Sequence, residues 1–224
     1  MDFGTPLLYR YGGAGDSPCG ANLNDVILRA IGRTFIATGV LILLFLGYQL
    51  FGTNFVTKQN QEVLAADFSQ SLTVPAPAVT EEPTPDLGDG IALIRIPKIG
   101  VDHVVVEGIG VEVLKKGPGH YPATAFPGHF GNVVISGHRT TYGAPFYKLD
   151  ELVIGDEIKL VDREGTYRYA VTESKIVAPT DLSVVTPSTE ARLTLTTCHP
   201  RFSARQRLII VAALIGEPKG TPEI

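Results

Sequence analysis

A cysteine and an arginine bracket the last loop between two strand-like runs. Residues 193–198 read Leu-Thr-Leu-Thr-Thr-Cys, residues 199–206 form a loop, and a second apolar run begins at Arg207. If the two runs pair antiparallel, Cys198 and Arg207 face each other with Cβ atoms about 5 Å apart. An arginine beside a thiol favours the reactive thiolate. The same guanidinium can donate hydrogen bonds to an oxyanion that forms on an attacked carbonyl.

A histidine ends another strand-like run. Residues 131–136 read Gly-Asn-Val-Val-Ile-Ser, and Gly137 and His138 follow. A strand that ends there leaves the imidazole at the rim of the sheet, where general acids and bases usually lie. Cys198, His138 and Arg207 together supply the nucleophile, proton carrier and oxyanion donor that thiolate attack on an amide needs. An exposed loop histidine and a buried structural cysteine are the open alternatives.

Arg207 has competitors for the oxyanion role. Three other arginines could take it, namely Arg139, Arg201 and Arg205. Arg207 is favoured because it begins the strand that should face Cys198. His199 lies next to the cysteine, but neighbours along a strand point to opposite faces. We therefore expect His199 to pack locally or to line a substrate groove.

The elements that would position these residues are short and strand-like. Gly, Pro, Asn and Asp separate the β-type runs, and short helical turns are predicted over 111–116 and 145–152. The seven predicted strands are 91–96, 101–107, 132–136, 156–161, 167–177, 192–198 and 207–214. Closely spaced strands without long helices predict a sandwich or a closed barrel.

An apolar segment precedes these strands. No charged residue occurs from 34 to 57, which is long enough to cross roughly 30 Å of hydrocarbon as a helix. Arg29 and Arg33 flank its N-terminal side, so the positive-inside tendency predicts a cytoplasmic N-terminus and an external β domain. Cys19 would then lie across the membrane from Cys198 and could not form a disulfide with it. A cleaved signal peptide is disfavoured because no small-x-small site follows the segment.

The chain is thus predicted to have five segments. They are a flexible cytoplasmic tail, a transmembrane helix, a Pro-rich extracellular linker without regular structure, a β domain and a C-terminal tail. Their predicted bounds are 1–33, 34–55, 56–90, 91–217 and 218–224. The linker is inferred from Pro75, Pro77, Pro83 and Pro85, since alternating prolines favour an extended chain.

Composition restricts the possible partners. The net charge of -4 lacks the basic excess that a nucleic-acid binder requires, so no nucleic-acid partner is expected. A zinc site built from Cys198, His138 and His199 is disfavoured, because structural zinc usually takes four protein ligands and the β domain has one cysteine. We predict neither a metal nor a cofactor.

These motifs in combination resemble the sortase family. The resemblance is carried by Thr-Thr-Cys at 196–198 with Arg207 nine residues on, and by Ser-Gly-His-Arg at 136–139. It extends over about residues 91–215, with supporting segments at 96–100, 114–120 and 149–156. The run 138–146 resembles class E sortases of actinobacteria, with class D as the next most similar.

The resemblance implies a fold and a reaction. The fold is all-β, a closed eight-stranded barrel with short helices after an N-terminal transmembrane helix. The reaction is cysteine transpeptidation, in which Cys198 attacks the threonine carbonyl of an LPxTG-like sorting signal and the Thr–Gly bond breaks. An amine of a peptidoglycan precursor or a pilin then releases the product from the thioacyl-enzyme. His138 would be the general acid and base, and Arg207 would hold the oxyanion or the substrate.

Class E membership would also imply a substrate preference. The preferred signal is LAxTG-like, and a tyrosine before the catalytic histidine is implicated in that choice. Tyr121 is the best match in this sequence, with Thr197 and Tyr142 as further expected substrate contacts.

Two other classes of function stay open at this point. One is a different envelope cysteine enzyme, such as an endopeptidase or an L,D-transpeptidase, although the Ser-His-Gly-Cys run typical of the latter is absent. The other is a non-catalytic surface module that retains these residues.

Overall fold

The computed structural model describes residues 23–73 and 85–220, apart from the side chains of Leu50 and Phe51. Cys19, most of the predicted cytoplasmic tail, three of the linker prolines (Pro75, Pro77 and Pro83) and the last four residues therefore lie outside the described part. Two compact units, residues 1–45 and 46–224, divide the chain.

The first unit holds an apolar helix, α1 (Leu23–Gly47). Its 25 residues have a mean hydropathy of 1.9 over the most apolar window, and none of that window is buried. The helix is long and apolar enough to cross a membrane. It begins at Leu23 rather than at residue 34, so Arg29 and Arg33 lie within it instead of before it. A π-helical turn, Tyr48–Gly52, follows in the sequence.

A second helix, α2 (Thr53–Thr73), lies where the extended linker was predicted. The prediction is wrong for this part, because it was based on prolines that all follow residue 73. Residues 53–73 contain neither proline nor glycine, and Gln, Leu and Ala recur among them. These are strong helix formers, so the local sequence favours a helix once the downstream prolines are set aside.

The second unit is built around a closed barrel. Within the described residues the barrel has eight strands, in the order β1-β2-β3-β4-β7-β8-β6-β5. The pairs β2–β3 and β4–β7 are parallel, and all others are antiparallel. The strands are β1 (Gly90–Ile96), β2 (Val101–Glu107), β3 (Gly119–His120), β4 (Asn132–Ser136), β5 (Glu157–Val161), β6 (Thr166–Val177), β7 (Arg192–His199) and β8 (Gln206–Ile215).

The barrel interior is filled by alternate side chains of each strand. Val133 and Ile135 of β4, with Leu193 and Leu195 of β7, belong to one buried apolar cluster. Period-two alternation turns the intervening residues to the outer face. The barrel is therefore a packed core and not a channel, and polar groups at strand ends lie outside it.

The sequence analysis predicted seven of the eight strands and missed β3. This strand has two residues, Gly119 and His120, and glycine is depleted in strands, so no local pattern marks it. The first predicted helical turn is the short helix α3 (Val111–Leu114). Of the second, only Leu149–Glu151 is helical, as a 3₁₀ turn.

The core makes a stability prediction. Ile94 is fully buried, so Ile94→Ala should lower the free energy of unfolding by about 2–5 kcal/mol through lost burial and a residual cavity. Ile154 is 75% exposed, and Ile154→Ala is the matched control, with an expected change of about 0.5 kcal/mol or less. Denaturant unfolding of the detergent-solubilised chain measures both. Equal effects would contradict the assignment of Ile94 to the core.

Candidate active site

Three neighbouring strands end at the same rim of the barrel. Parallel pairing of β4 with β7 places Ser136 opposite Thr196, and Gly137 continues it by donating its N–H to the Thr196 carbonyl at 3.1 Å. His138 and Cys198 each lie two residues beyond that last pair. They therefore end adjacent strands on the outer face of the barrel.

The third strand brings an arginine to the same place. In the antiparallel pair β7–β8, Cys198 lies directly opposite Arg207. Cross-strand partners share a face of the sheet, so Arg207 is on the outer face with Cys198. The hairpin predicted from the sequence is thus confirmed by the strand register.

The guanidinium of Arg207 is occupied locally. Its Nη1 donates to the carbonyl oxygens of Ala204 and Gln206, at 3.0 and 3.1 Å. Ala204 belongs to the loop that joins β7 to β8, and Gln206 is the first residue of β8. No carboxylate in the described residues pairs with Arg207. Arg207 can exchange these neutral carbonyls for a charged acceptor, since hydrogen bonds to ionised groups are stronger.

Gly137 sets the direction of the chain into His138. A Cβ atom at this position would lie 2.5 Å from the Phe146 ring, which is fully buried beneath it. Only glycine permits that close approach of backbone to ring. Packing therefore requires glycine at position 137, and this glycine sets the backbone position of His138.

The imidazole of His138 is half-buried and lies against an aromatic ring. Its ring centroid is 5.0 Å from that of Tyr142, with the planes tilted by 41°. Its Nε2 atom is buried and has no hydrogen-bond partner among the described residues. Burial lowers the pKa of His138 below its ordinary value of 6.5. At neutral pH the ring is mainly uncharged and can accept a proton.

The thiol of Cys198 is partly exposed and free of any disulfide, so it is accessible to a substrate. Thr197 beside it is buried and donates its hydroxyl to the Gly137 carbonyl at 2.7 Å. That bond ties β7 to the residue before His138. The Thr197 hydroxyl is therefore already hydrogen-bonded. This bond fixes the backbone next to Cys198.

A buried arginine holds the backbone of Cys198. Arg139 is 2% exposed, and its Nη1 donates to the Cys198 carbonyl at 3.2 Å. Its Nε donates to the Tyr147 carbonyl at 3.0 Å, and its Nη2 lies 2.9 Å from an Asp150 carboxylate oxygen. From the sequence, Arg139 was considered only for the oxyanion. No local pattern marked its burial, because it lies beyond the end of β4.

Asp150 joins Arg139 to a further arginine. Arg201 donates to both oxygens of Asp150, at 2.9 and 3.2 Å, and lies over the Tyr147 ring. Partial burial alone would raise the pKa of Asp150, but the hydrogen bond from Arg201 and the charge of Arg139 hold that pKa below its ordinary value. The carboxylate stays ionised and links the loops that carry residues 139, 150 and 201.

The predicted substrate contacts are not all at this rim. Tyr142 is there, against His138. Tyr121 donates its N–H to the Val134 carbonyl, four residues back along β4 from His138. At about 3.3 Å per residue its backbone lies roughly 13 Å from that end of the strand. His199 follows Cys198, and its Nδ1 is buried without a partner among the described residues.

Side chains that ligate metal ions are not clustered in the described part of the chain. It contains no group of three or more His, Cys, Asp or Glu side chains that could hold a metal ion.

Known proteins were compared with the chain. The family model described as the sortase domain matches residues 94–215. Sortase SrtE1 of Streptomyces coelicolor is 34% identical over 221 residues, covering 88% of this chain and 61% of that relative. Sortase D of Bacillus subtilis is 34% identical over 173 residues, covering 74% of this chain and 86% of the relative. The chain thus spans less than two thirds of the length of the first relative.

Solved structures give the same result. A Clostridium perfringens sortase D5 transpeptidase superposes with a TM-score of 0.64 at 34% identity, covering 70% of this chain and 99% of that one. Sortase E1 of Streptomyces coelicolor, solved with a tripeptide in its active site, gives a TM-score of 0.54 at 30% identity, covering 58% and 91%. Similarity to both classes confirms the resemblance and does not decide between them.

The burial of His138 makes a pH-dependent prediction. The unfolded chain protonates this histidine near 6.5, whereas the folded chain does so at lower pH. As the pH falls below 6.5, the unfolded state binds more protons than the folded state, so the free energy of unfolding decreases. His103 has a pKa lowered in the same way, so His138→Gln should reduce this decrease without removing it. Denaturant unfolding at several pH values checks this. An unaltered pH dependence in His138→Gln would contradict it.

Proposed function

This chain belongs to the sortase family of cysteine transpeptidases, and we propose that it cleaves a sorting signal between Thr and Gly and transfers the protein to an amine. The observation that carries the proposal is the strand register that aligns Cys198, His138 and Arg207 at the ends of β7, β4 and β8. The three residues fill the roles that acyl transfer to and from a thiol requires.

The first half of the reaction forms a thioester. The thiol proton of Cys198 passes to the neutral imidazole of His138 as Sγ attacks the threonine carbonyl carbon. The resulting tetrahedral oxyanion collapses, the C–N bond to glycine breaks, and the imidazolium returns its proton to the leaving amine. The product is a thioacyl-enzyme and a free glycine amine. Burial of His138 supports this, because it keeps the resting ring uncharged and able to accept the proton.

The second half returns the enzyme to its starting state. An acceptor amine attacks the thioester carbonyl and gives a proton to His138. The C–S bond breaks, a new amide forms, and the Cys198 sulfur takes the proton back. We propose an amine of a peptidoglycan precursor or of a pilin as the acceptor. Hydrolysis by water would give the same cleavage without transfer, so product analysis must distinguish the two.

Arg207 is proposed to bind the oxyanion. Its guanidinium lies with the carbonyls of Ala204 and Gln206, opposite Cys198 on the next strand. A developing oxyanion is a stronger acceptor than either carbonyl. The Arg207 side chain would therefore turn from these carbonyls to the oxyanion when substrate is bound. Arg139 is less suited to this role, because its buried guanidinium already bonds the Cys198 backbone and Asp150.

The proposed substrate is a peptide with an LAxTG- or LPxTG-like sequence. A related sortase E holds a tripeptide in its active site, which supports a short peptide motif as the ligand. Tyr142 is the proposed substrate contact with the strongest support, because its ring lies against His138. Thr197 would contribute through its backbone, since its hydroxyl is already bonded to Gly137. Tyr121 would select the residue after leucine, further along β4 from the reacting atoms than Tyr142.

The proposed topology follows from the apolar helix. Helix α1 would anchor the chain as a single membrane span, with residues before it in the cytoplasm and the catalytic domain, 91–217, outside. The Pro-containing segment beyond residue 73 would act as a spacer, and residues 218–224 as a short tail. Sorting-signal proteins in the same membrane would then be presented on the correct side for attack.

Peptide cleavage tests the proposed reaction. Quenched fluorescent peptides that carry LAxTG, LPxTG or a scrambled sequence are incubated with the detergent-solubilised chain, with and without an amine acceptor. We expect cleavage at Thr–Gly and transfer to the amine, both lost in Cys198→Ala because no other group forms the thioester. Mass spectrometry identifies the products. A folded, thiol-reactive protein that cleaves no sorting peptide would instead indicate another cysteine enzyme or a non-catalytic module.

The oxyanion role of Arg207 makes a separate prediction. Arg207→Ala should lower kcat by about 10²–10³, the usual loss when one oxyanion donor is removed. Arg207→Lys should recover only part of this, because an ammonium lacks the planar fork of donors. Arg205→Ala is the matched control in the adjacent loop, since the Arg205 side chain makes no hydrogen bond within the described chain. The kcat of Arg205→Ala should stay within twofold of the wild-type value. Steady-state kinetics with the preferred peptide measure kcat for each variant. A similar loss in Arg205→Ala would overturn the assignment.

A further inference from the structure

The segment after His138 contains three consecutive residues in the left-handed backbone region. Tyr142, Gly143 and Ala144 have φ values of 51°, 75° and 44°. Glycine adopts this conformation easily, but residues with a side chain do so at a cost. Strained backbone of this kind persists only where the surroundings hold it. Some contact must therefore fix this turn.

The contact comes from helix α2. The side-chain Oδ1 of Asn54 accepts the Gly143 N–H at 2.9 Å, across 89 positions of the sequence. A Cβ atom on Gly143 would lie 3.2 Å from the methyl group of Thr57, one helical turn further along α2. The centre of the turn thus lies against α2 and donates its amide to it.

Helix α2 is itself fixed on the barrel by a buried glutamine. Gln61 is 8% exposed, and its Oε1 accepts the Val104 N–H at 2.7 Å. Its Nε2 donates to the carbonyl oxygens of Val104 and Lys116, at 3.0 and 2.9 Å. The amide therefore pairs with β2 as a neighbouring strand would. Thr57 adds a bond from its hydroxyl to the Lys115 carbonyl at 2.9 Å.

The turn leads directly to the imidazole. The Tyr142 ring lies 5.0 Å from the His138 ring, centroid to centroid, and Lys115 Nζ lies 5.9 Å from the Tyr142 ring centroid. Tyr142 directly precedes Gly143 in the turn. A shift of the turn would therefore move the surface against which His138 packs.

We propose that α2 is a positioning element for the catalytic site, in which Asn54 holds the strained 142–144 turn so that Tyr142 fixes the orientation of His138. The inference rests on the proposed function for its effect on catalysis. Asn54 touches neither substrate nor the reacting atoms and acts only through the turn. The helix that follows the membrane segment in sequence thereby becomes part of the active-site scaffold.

Kinetics on the full chain in detergent test the proposal. Asn54→Ala should lower kcat for the preferred peptide about three- to tenfold, the factor expected for the loss of one neutral hydrogen bond, with KM unchanged. Asn54→Asp keeps the acceptor oxygen and should restore kcat to within twofold. Asn60→Ala, on the same helix, is the matched control, because Asn60 makes no side-chain hydrogen bond within the described residues. An equal loss in Asn60→Ala would overturn the proposal.

The orientation of His138 is measured without reference to activity. In the same variants labelled with [13C-ε1]histidine, the His138 resonance is assigned by its absence from His138→Gln. We expect it to shift in Asn54→Ala, through the altered ring current of Tyr142, and to return in Asn54→Asp. An unshifted resonance in Asn54→Ala would overturn the proposal. If the wild-type chain cleaves no sorting peptide, the proposed function fails while this measurement still decides the positioning role.

Discussion

The parallel pairing of β4 with β7 is the constraint on which the site depends. The pair joins segments some 60 residues apart in sequence and brings the end of each to one rim of the barrel. Two hydrogen bonds extend the pair at this rim. The Gly137 N–H donates to the Thr196 carbonyl, and the Thr197 hydroxyl donates to the Gly137 carbonyl. A slip of one residue would turn every side chain of the strand to the other face and bury Cys198 or His138. The strand register therefore places these two residues at one rim, whichever rotamers their side chains adopt.

Most of the barrel could be predicted from local sequence, because its strands alternate or are continuously apolar and are bounded by turn residues. The hairpin that pairs Cys198 with Arg207 was predictable for the same reason. Strand β3 was not, since two residues carry no period, and α2 was hidden by the prolines that follow it. The parallel register and the inward turn of Arg139 depend on contacts distant in sequence. No pattern within a short window encodes them.

The site is supported from two directions. Inside the rim, the buried Arg139 binds the backbone of Cys198 and is neutralised by Asp150, whose charge is shared with Arg201. A buried guanidinium without such a partner would be costly, so these residues act as a unit. Outside the rim, Asn54 of α2 accepts a hydrogen bond from the 142–144 turn, which packs on His138. The two supports meet in the segment after His138, since Arg139 donates to the Tyr147 carbonyl and Tyr147 donates its N–H to the Ala144 carbonyl.

The connection between β6 and β7, residues 178–191, carries neither Cys198, His138 nor Arg207. It is nevertheless attached to β4, because the buried Asn132 side chain donates to the carbonyl oxygens of Val184 and Thr186, at 2.9 and 3.2 Å. These bonds use only the backbone of the loop, and most of its side chains are exposed. A substitution at an exposed position of this loop would therefore leave its attachment to β4 intact, whereas an insertion between residues 184 and 186 would disturb it.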